Sequence, residues 1–434
     1  MAIIRDVKHE CMSRDELIKL QSEKLKQTVM HEYKNVPLYR QRMDEKGVKP
    51  EDIHGIDDLH LLPFMEKTDL RDTFPYGLMA VDKREIVRIH GSSGTTGKPI
   101  VAGYTAYDLE CWTEMMARAM AAADADENSI FQICYGYGLF TGGIGAHQGA
   151  TRIGAMTIPM SSGNTQRQIM MMQEMGTTHL CCTPSYALYL GETIHEMGIR
   201  PEQLNLKAGI FGAEPWTEEM RIRIEELLGL DARDIYGLTE IAGPGVAYEC
   251  FEKHGMHVNE DFVIPEIINP QTGEPLPYGE KGELVFTTLY KQAMPMIRYR
   301  THDICRLHAE PCSCGRTFVR MERLMGRTDD MMVIRGVNVF PSQIEGILAA
   351  MPGVMPHYVL VVDRVNNQDT LEIQVEVNDE MFTDSLGKLE SIKRGIMEQV
   401  KSVVGIKAAV SLVAPYTIPR SDGKTRHIVD KRKL

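Results

Sequence analysis

The stretch Gly91-Ser-Ser-Gly-Thr-Thr-Gly-Lys-Pro99 packs three glycines, four hydroxyl side chains and one lysine into nine residues. Apolar positions bracket it: Ile86, Val87 and Ile89 before, Ile100 and Val101 after. The pattern predicts two strands joined by a loop. Glycine lets a backbone come close to a ligand and turn its N–H groups inward. The hydroxyls add donors and Lys98 adds positive charge, so such a loop can wrap a polyphosphate. A phosphate loop of the nucleotide-hydrolase type does not fit. That motif has a shorter gap between its glycines and a Ser or Thr after the lysine. Here five residues separate Gly91 from Gly97, and Pro99, which lacks an N–H, follows Lys98. The competing expectation is a Ser/Gly hairpin that binds nothing.

A chain of 434 residues exceeds one core of ordinary size and predicts two or more domains. Its 43% hydrophobic and 25% charged residues are those of a soluble globular protein. A net charge of −12 argues against nucleic acid or an anionic membrane as the main partner. No run approaches the roughly 18 apolar residues of a membrane span. The opening Met1-Ala-Ile-Ile-Arg-Asp-Val-Lys8 lacks a signal-peptide pattern. Nine cysteines in such a chain read as reduced thiols or metal ligands in a cytoplasmic protein.

Residues 13–47 read as helical, with an interruption at Asn35-Val-Pro-Leu-Tyr39. From about 105 to 240, helical stretches alternate with the apolar runs Ile130–Cys134, Ala155–Ile158, His179–Cys182 and Ala208–Phe211. That alternation predicts an α/β fold: a largely parallel sheet flanked by helices. Between about 246 and 325 a smaller β region is expected, with strands at Glu283–Thr288 and Pro295–Tyr299. Beyond about 326, strands at His357–Val362, Thr370–Val377 and Ala408–Val413 surround a helix. The helix shows in the spacing of Leu386, Leu389, Ile392, Ile396, Val400 and Val403. The domains expected are therefore 1–326 and a smaller α+β unit, 327–434.

Further marks follow the loop in order. Gly212-Ala-Glu-Pro215 reads as a strand passing into a loop that can face a nucleobase, or as a plain turn. Asp234-Ile-Tyr-Gly-Leu-Thr-Glu240 suggests a glycine turn after a strand, placing a hydroxyl and a carboxylate where open α/β sheets gather ligands. Asp303, in Arg298-Tyr-Arg-Thr-His-Asp303, could accept from ribose hydroxyls, or simply pair with Arg298 or Arg300. Gly326-Arg-Thr-Asp-Asp330 lies where the pattern changes and suggests a hinge. Ile418-Pro-Arg-Ser-Asp-Gly-Lys424 lacks apolar periodicity; taken alone, it is a solvated tip.

Taken in this order, the marks resemble the adenylate-forming superfamily of acyl-CoA synthetases, luciferases and adenylation domains. A closer resemblance, to the phenylacetate–CoA ligase family, runs nearly end to end. It rests on Leu62-Pro-Phe with Lys67-Thr-Asp-Leu-Arg71, Tyr135-Gly-Tyr-Gly-Leu-Phe-Thr-Gly-Gly143, Ser162-Gly-Asn-Thr-Gln-Arg167, Asn269-Pro-Gln-Thr-Gly273 and Ile334-Arg-Gly-Val-Asn-Val-Phe-Pro341. The resemblance implies ATP-dependent ligation of an aryl acid, phenylacetate first, to coenzyme A. An acyl-adenylate is the intermediate; AMP and pyrophosphate are released. It also implies Mg²⁺ and suggests a homodimer.

By the same resemblance, Ser92, Ser93, Gly94, Thr95, Thr96, Gly97 and Lys98 hold the β- and γ-phosphates. Thr239 and Glu240 serve the α-phosphate and Mg²⁺. Gly212, Ala213, Glu214 and Pro215, with Asp234, Ile235, Tyr236 and Gly237, belong to the adenine side. Asp303 and Arg327 hold the ribose. Lys424 bridges the attacking carboxylate and the α-phosphate. Asp329 is the hinge of a mobile C-terminal domain, and Gly336 lines the pantetheine path. Tyr135, Tyr137 and Phe140 could form an aromatic slot for the acid, or pack as core. Other readings kept open are ligation of indoleacetate or a hydroxyphenylacetate, transfer to a carrier-protein thiol, and a silent nucleotide-binding protein.

Cys312-Ser-Cys314 is a weak metal motif that needs two more ligands for a closed tetrahedral zinc site. Cys250 and His257, in the same β region, are the best candidates. His254 is the alternative imidazole, His302 or Cys305 are remoter options, and free thiols are the competing reading.

Overall fold

The apolar runs become neighbouring strands. The computed structural model describes residues 3–92, 100–328, 332–334, 337–365, 368–378, 386–419 and 427–432. In it Met156–Ile158, Ile130–Ile133, His179–Cys182, Ala208–Gly212 and Asp231–Leu238 lie side by side in parallel. His179–Cys182 and Ala208–Gly212 are buried throughout, as strands covered on both faces must be. Successive side chains serve opposite faces. Ile133, Cys181 and Ile210 enter one apolar cluster, and Cys134, Leu180 and Phe211 another.

Part of the expected small β region extends this sheet instead of standing apart. Gly243–Glu249 returns antiparallel to Asp231–Leu238, and Met256–Val258, Arg320–Met321 and Leu307–His308 complete nine strands. A four-stranded sheet holds Val263–Ile268, Gly282–Thr288, Tyr299–Cys305 and Gly326–Arg327. The strand expected over Pro295–Tyr299 begins only at Tyr299. Before it the chain turns: Arg298 has φ +46° and donates its N–H to Thr287 Oγ1. Pro295 has no N–H to give a ladder.

The charged N-terminal stretch forms Arg14–Asn35, capped by Ser13 with Glu16, and Pro37–Glu45, opened by Pro37. Arg88–Ser92 pairs antiparallel with Ile100–Tyr104, the two strands expected around the glycine-rich loop. In the C-terminal part, Ala409–Val413, Gln368–Val377, Val354–Val365 and Ile428–Asp430 form a four-stranded sheet. Helices Pro341–Ala349 and Leu386–Val403 accompany it, around an apolar cluster of its own that includes Leu360, Ile373, Ile396 and Val400. It touches helix Pro184–Glu196: Tyr416 Oη donates to Glu196 Oε1 at 2.6 Å, and His357 Nε2 lies 3.8 Å from Glu192. Among the described residues, no helix is long and apolar enough to cross a membrane.

Candidate active site and metal centre

The C-terminal ends of strands Ala208–Gly212 and Asp231–Leu238 lie together, where open α/β sheets bind ligands. Gly212 is packed so closely that a Cβ would fall 2.2 Å from the Ile235 carbonyl oxygen. Ala213 follows with φ +73°, turning the chain out of the strand. Glu214 Oε1 then accepts from the Ser185 N–H at 2.7 Å, in the first turn of helix Pro184–Glu196.

Gly237 is not the turn expected after the strand. It sits within Asp231–Leu238, at a register shift, where a Cβ would meet the Gly243 carbonyl oxygen at 1.7 Å. The turn comes next and carries Thr239 and Glu240, both buried. Asp234 N–H donates to Glu249 Oε2 at 2.7 Å, and Arg221 grips both Glu249 oxygens at 2.8 Å. Burial and then the Glu249 charge hold the Asp234 carboxyl well above the usual range.

Asp303 does not pair with Arg298 or Arg300, which bind Glu266 and Glu283. It faces Arg327 across the strand pair; Arg327 Nη1 donates to Asp303 Oδ1 at 2.8 Å. Tyr236 Oη donates to Asp303 Oδ2 at 2.6 Å. Three residues drawn from distant motifs thus share one ionic and hydrogen-bonded unit. Glu240 is tied in beside it, its Oε1 accepting from Tyr299 Oη at 3.2 Å. Tyr299 and Lys291, whose ammonium donates to the Glu240 carbonyl at 2.8 Å, were not singled out from the sequence. Lys291 lies in no motif, and Tyr299, although it stands in the Arg298–Asp303 stretch, carries no sign there of reaching Glu240.

The three aromatic candidates are spread along one segment. Tyr135 is buried, with Oη 3.5 Å from the Ile210 carbonyl. Tyr137 is half-buried and its hydroxyl reaches His147 Nδ1 at 3.3 Å. Phe140 is 49% exposed. Ser93, Gly94, Thr95, Thr96, Gly97, Lys98, Asp329, Gly336 and Lys424 lie outside the described residues, and of Ser92 only the backbone is described.

The four candidate metal donors converge. Ligand atoms of Cys250, His257, Cys312 and Cys314 all lie within 4.8 Å of one another. Cys250 Sγ is 3.8 Å from Cys312 Sγ, and Cys314 Sγ is 3.4 Å from His257 Nε2. Zinc–sulfur bonds of about 2.3 Å at tetrahedral angles put thiolates about 3.8 Å apart. The Cys250 thiol and then His257 pull the Cys314 thiol well below the usual thiol range, while the same contact pushes Cys250 up. Arg316 Nη1 also reaches Cys314 Sγ at 3.7 Å; its Nε donates to Glu10, which accepts from Tyr248 Oη as well. Of the imidazoles named from the sequence, His257 joins the group; His254 lines an open cavity of about 420 Å³ with Glu218, Lys253 and Arg323.

The AMP-binding enzyme family matches residues 3–291, and its C-terminal domain matches residues 336–432. The chain belongs to this family. It is an ATP-dependent, adenylate-forming enzyme, as its motifs predicted. It is 47% identical over 438 residues to the phenylacetate–coenzyme A ligase of Thermus thermophilus, covering 98% of each chain. Its structure resembles that of 2-hydroxyisobutyryl-CoA ligase in the postadenylation state in complex with R3-HIB-AMP (TM-score 0.91, 29% identity, 98% of this chain and 91% of that one). Against the same ligase with 2-HIB-AMP and CoA in the thioesterification state the TM-score is 0.73, at 30% identity over 98% and 92%. The enzyme's two parts are thus arranged more nearly as in the first.

Proposed function

We propose that this enzyme joins an arylacetic acid, phenylacetate first among them, to coenzyme A through an acyl-adenylate, releasing AMP and pyrophosphate. The observation that carries the reading is the 47% identity to a phenylacetate–CoA ligase along 98% of both chains. The Tyr236–Asp303–Arg327 unit beside Thr239 and Glu240 is consistent with it.

Two anions must meet at the α-phosphorus, so positioning and charge stabilisation carry the rate. The Asp303 carboxylate, fixed by Tyr236 and Arg327, accepts from the ribose hydroxyls. The narrow edge at Gly212 and Ala213 takes the base. Thr239 and Glu240 would hold Mg²⁺, which screens phosphate charge when bound; a buried hydroxyl and carboxylate are suitable donors for it. Lys98 in the glycine-rich loop and Lys424 in the C-terminal domain supply positive charge to the phosphates and the attacking carboxylate. The hinge near residues 326–329 lets the C-terminal domain exchange Lys424 for the Gly336 segment before thioester formation. The Cys250–His257–Cys312–Cys314 group would hold structural zinc: its donors are three thiols and one imidazole, the full set for a closed tetrahedral site.

Pyrophosphate release with ATP and Mg²⁺, across aromatic and aliphatic acids with and without coenzyme A, tests the reading. The expected result is release that rises with phenylacetate, and a thioester only when coenzyme A is present. A preference for indoleacetate or a hydroxyphenylacetate would change the acid alone. Adenylation without transfer to free coenzyme A would point to a carrier-protein thiol.

A further inference from the structure

We propose that Lys291, flanked by Tyr104 and Tyr290, is a positioning residue that sets the metal-holding turn by gripping its backbone. Three successive carbonyls are each held by a different buried side chain. Tyr104 Oη donates to Thr239 O at 2.7 Å, Lys291 Nζ to Glu240 O at 2.8 Å, and Tyr290 Oη to Ile241 O at 2.9 Å. All three donors are at most 4% exposed. The Lys291 ammonium also sits 4.6 Å from the centre of the Tyr104 ring, which ties two of the donors to each other.

A neutral donor would satisfy one carbonyl. Burying an ammonium is costly unless its charge is used. Here it faces Asp108, Glu240 and Glu32. Asp108 is engaged elsewhere: its oxygens accept from the Thr105, Gln292 and Ala293 N–H groups, which fixes the backbone just after Lys291. The carboxyl of Glu32, on helix Arg14–Asn35, has no hydrogen-bond partner among the described residues, and burial raises it far above the usual range. Glu240 is the remaining carboxylate. Its carbonyl is held from one side by Lys291 and its carboxylate from the other by Tyr299. The turn is therefore clamped on both sides before any ligand arrives, with one positive charge behind the carboxylate.

The inference rests on the reading of Glu240 as the Mg²⁺ residue, so both are tested together. Pyrophosphate formation is titrated with Mg²⁺ at saturating ATP and acid, alongside thermal melting, for Lys291→Met, Tyr290→Phe and Glu240→Gln. Loss of a group that orients a metal ligand typically costs about 10- to 100-fold in metal affinity. A folded Lys291→Met enzyme is expected to need about tenfold more Mg²⁺, with a smaller rise for Tyr290→Phe. A purely structural role would lower the melting temperature and leave the Mg²⁺ midpoint in place. That result, with Glu240→Gln shifting the midpoint, overturns the inference. An unchanged midpoint in Glu240→Gln overturns the reading of Glu240 itself. Should Lys291→Met not fold, Tyr290→Phe decides: it removes one hydroxyl from the same turn, and an unmoved midpoint overturns the inference.

Discussion

Tyr236, Asp303 and Arg327 show how one hydroxyl and one guanidinium can hold a buried carboxylate in place. A hydrogen bond to a charged partner contributes about 1.5–3 kcal/mol. Tyr236→Phe should therefore raise the ATP KM about tenfold and leave kcat within about threefold, measured by pyrophosphate release; an unchanged KM would mean that Arg327 alone orients Asp303. Lys291 gives a second test, through stability. Burial lowers its ammonium to about 8, against the attraction of Asp108, Glu240 and Glu32. Between about pH 8 and 10.5 the unfolded chain keeps a proton that the folded chain has lost, so stability rises with pH across that window. Wild type should gain about 1.5 kcal/mol over Lys291→Met between about pH 8 and about pH 9.5 in urea melts. A flat difference would show that the ammonium is not perturbed. Asp303 and Glu240 could be named from the sequence because each sits in a motif. Lys291 and Tyr104 could not, because they lie outside the motifs and meet the turn from positions far along the chain; Tyr299 shares the stretch of Asp303, but its reach to Glu240 shows only in the fold.

At the scale of elements, the candidate metal group draws its donors from separate pieces of chain at one end of the main sheet. Cys250 follows strand Gly243–Glu249, His257 lies in Met256–Val258, and Cys312 and Cys314 sit between Leu307–His308 and Arg320–Met321. The last three strands are two or three residues long, too short for ladder bonds alone to hold them. The Arg316–Glu10 pair ties the N-terminal segment to the same place. Cys312→Ser should lose one equivalent of zinc by elemental analysis and melt about 5 °C lower or more. Metal-free native protein would leave a cluster of free thiols instead. The donors could be proposed from spacing because all four lie in one β region. That their strands extend the main sheet could not be read, since partners such as Met256 and Met321 are set by register across distant segments. Gly237 misled for a related reason: a glycine needed for close approach to Gly243 looks, in sequence, like a glycine needed for a turn.

The whole molecule has two parts that must change partners if one lysine serves only the first half-reaction. Alternating apolar runs made the parallel sheet and the C-terminal α+β unit legible, because strands and helices bury surface with different periods. Their mutual placement was not legible, since contacts such as Tyr416–Glu196 and Lys281 over the Phe340 ring join residues far apart in the sequence. Lys424→Ala should abolish pyrophosphate release yet still convert supplied acyl-adenylate to thioester; equal loss of both in rapid-quench assays would remove Lys424 from its role. The described contacts give a complementary expectation. The overall likeness is greater to a postadenylation structure, at TM-score 0.91 against 0.73 for the thioesterification state, so the Tyr416–Glu196 and His357–Glu192 contacts are expected to belong to the first arrangement. The Tyr416–Glu196 pair is exposed, and the largely buried His357–Glu192 pair is 3.8 Å apart, so each contributes about 1 kcal/mol or less. Replacing Glu192 and Glu196 together with alanine should then slow adenylation about three- to tenfold, while thioester formation from supplied adenylate keeps its rate or gains, because only the first arrangement loses contacts. Equal slowing of both steps would mean that helix Pro184–Glu196 acts through the fold of the larger part, and that these contacts do not select between arrangements.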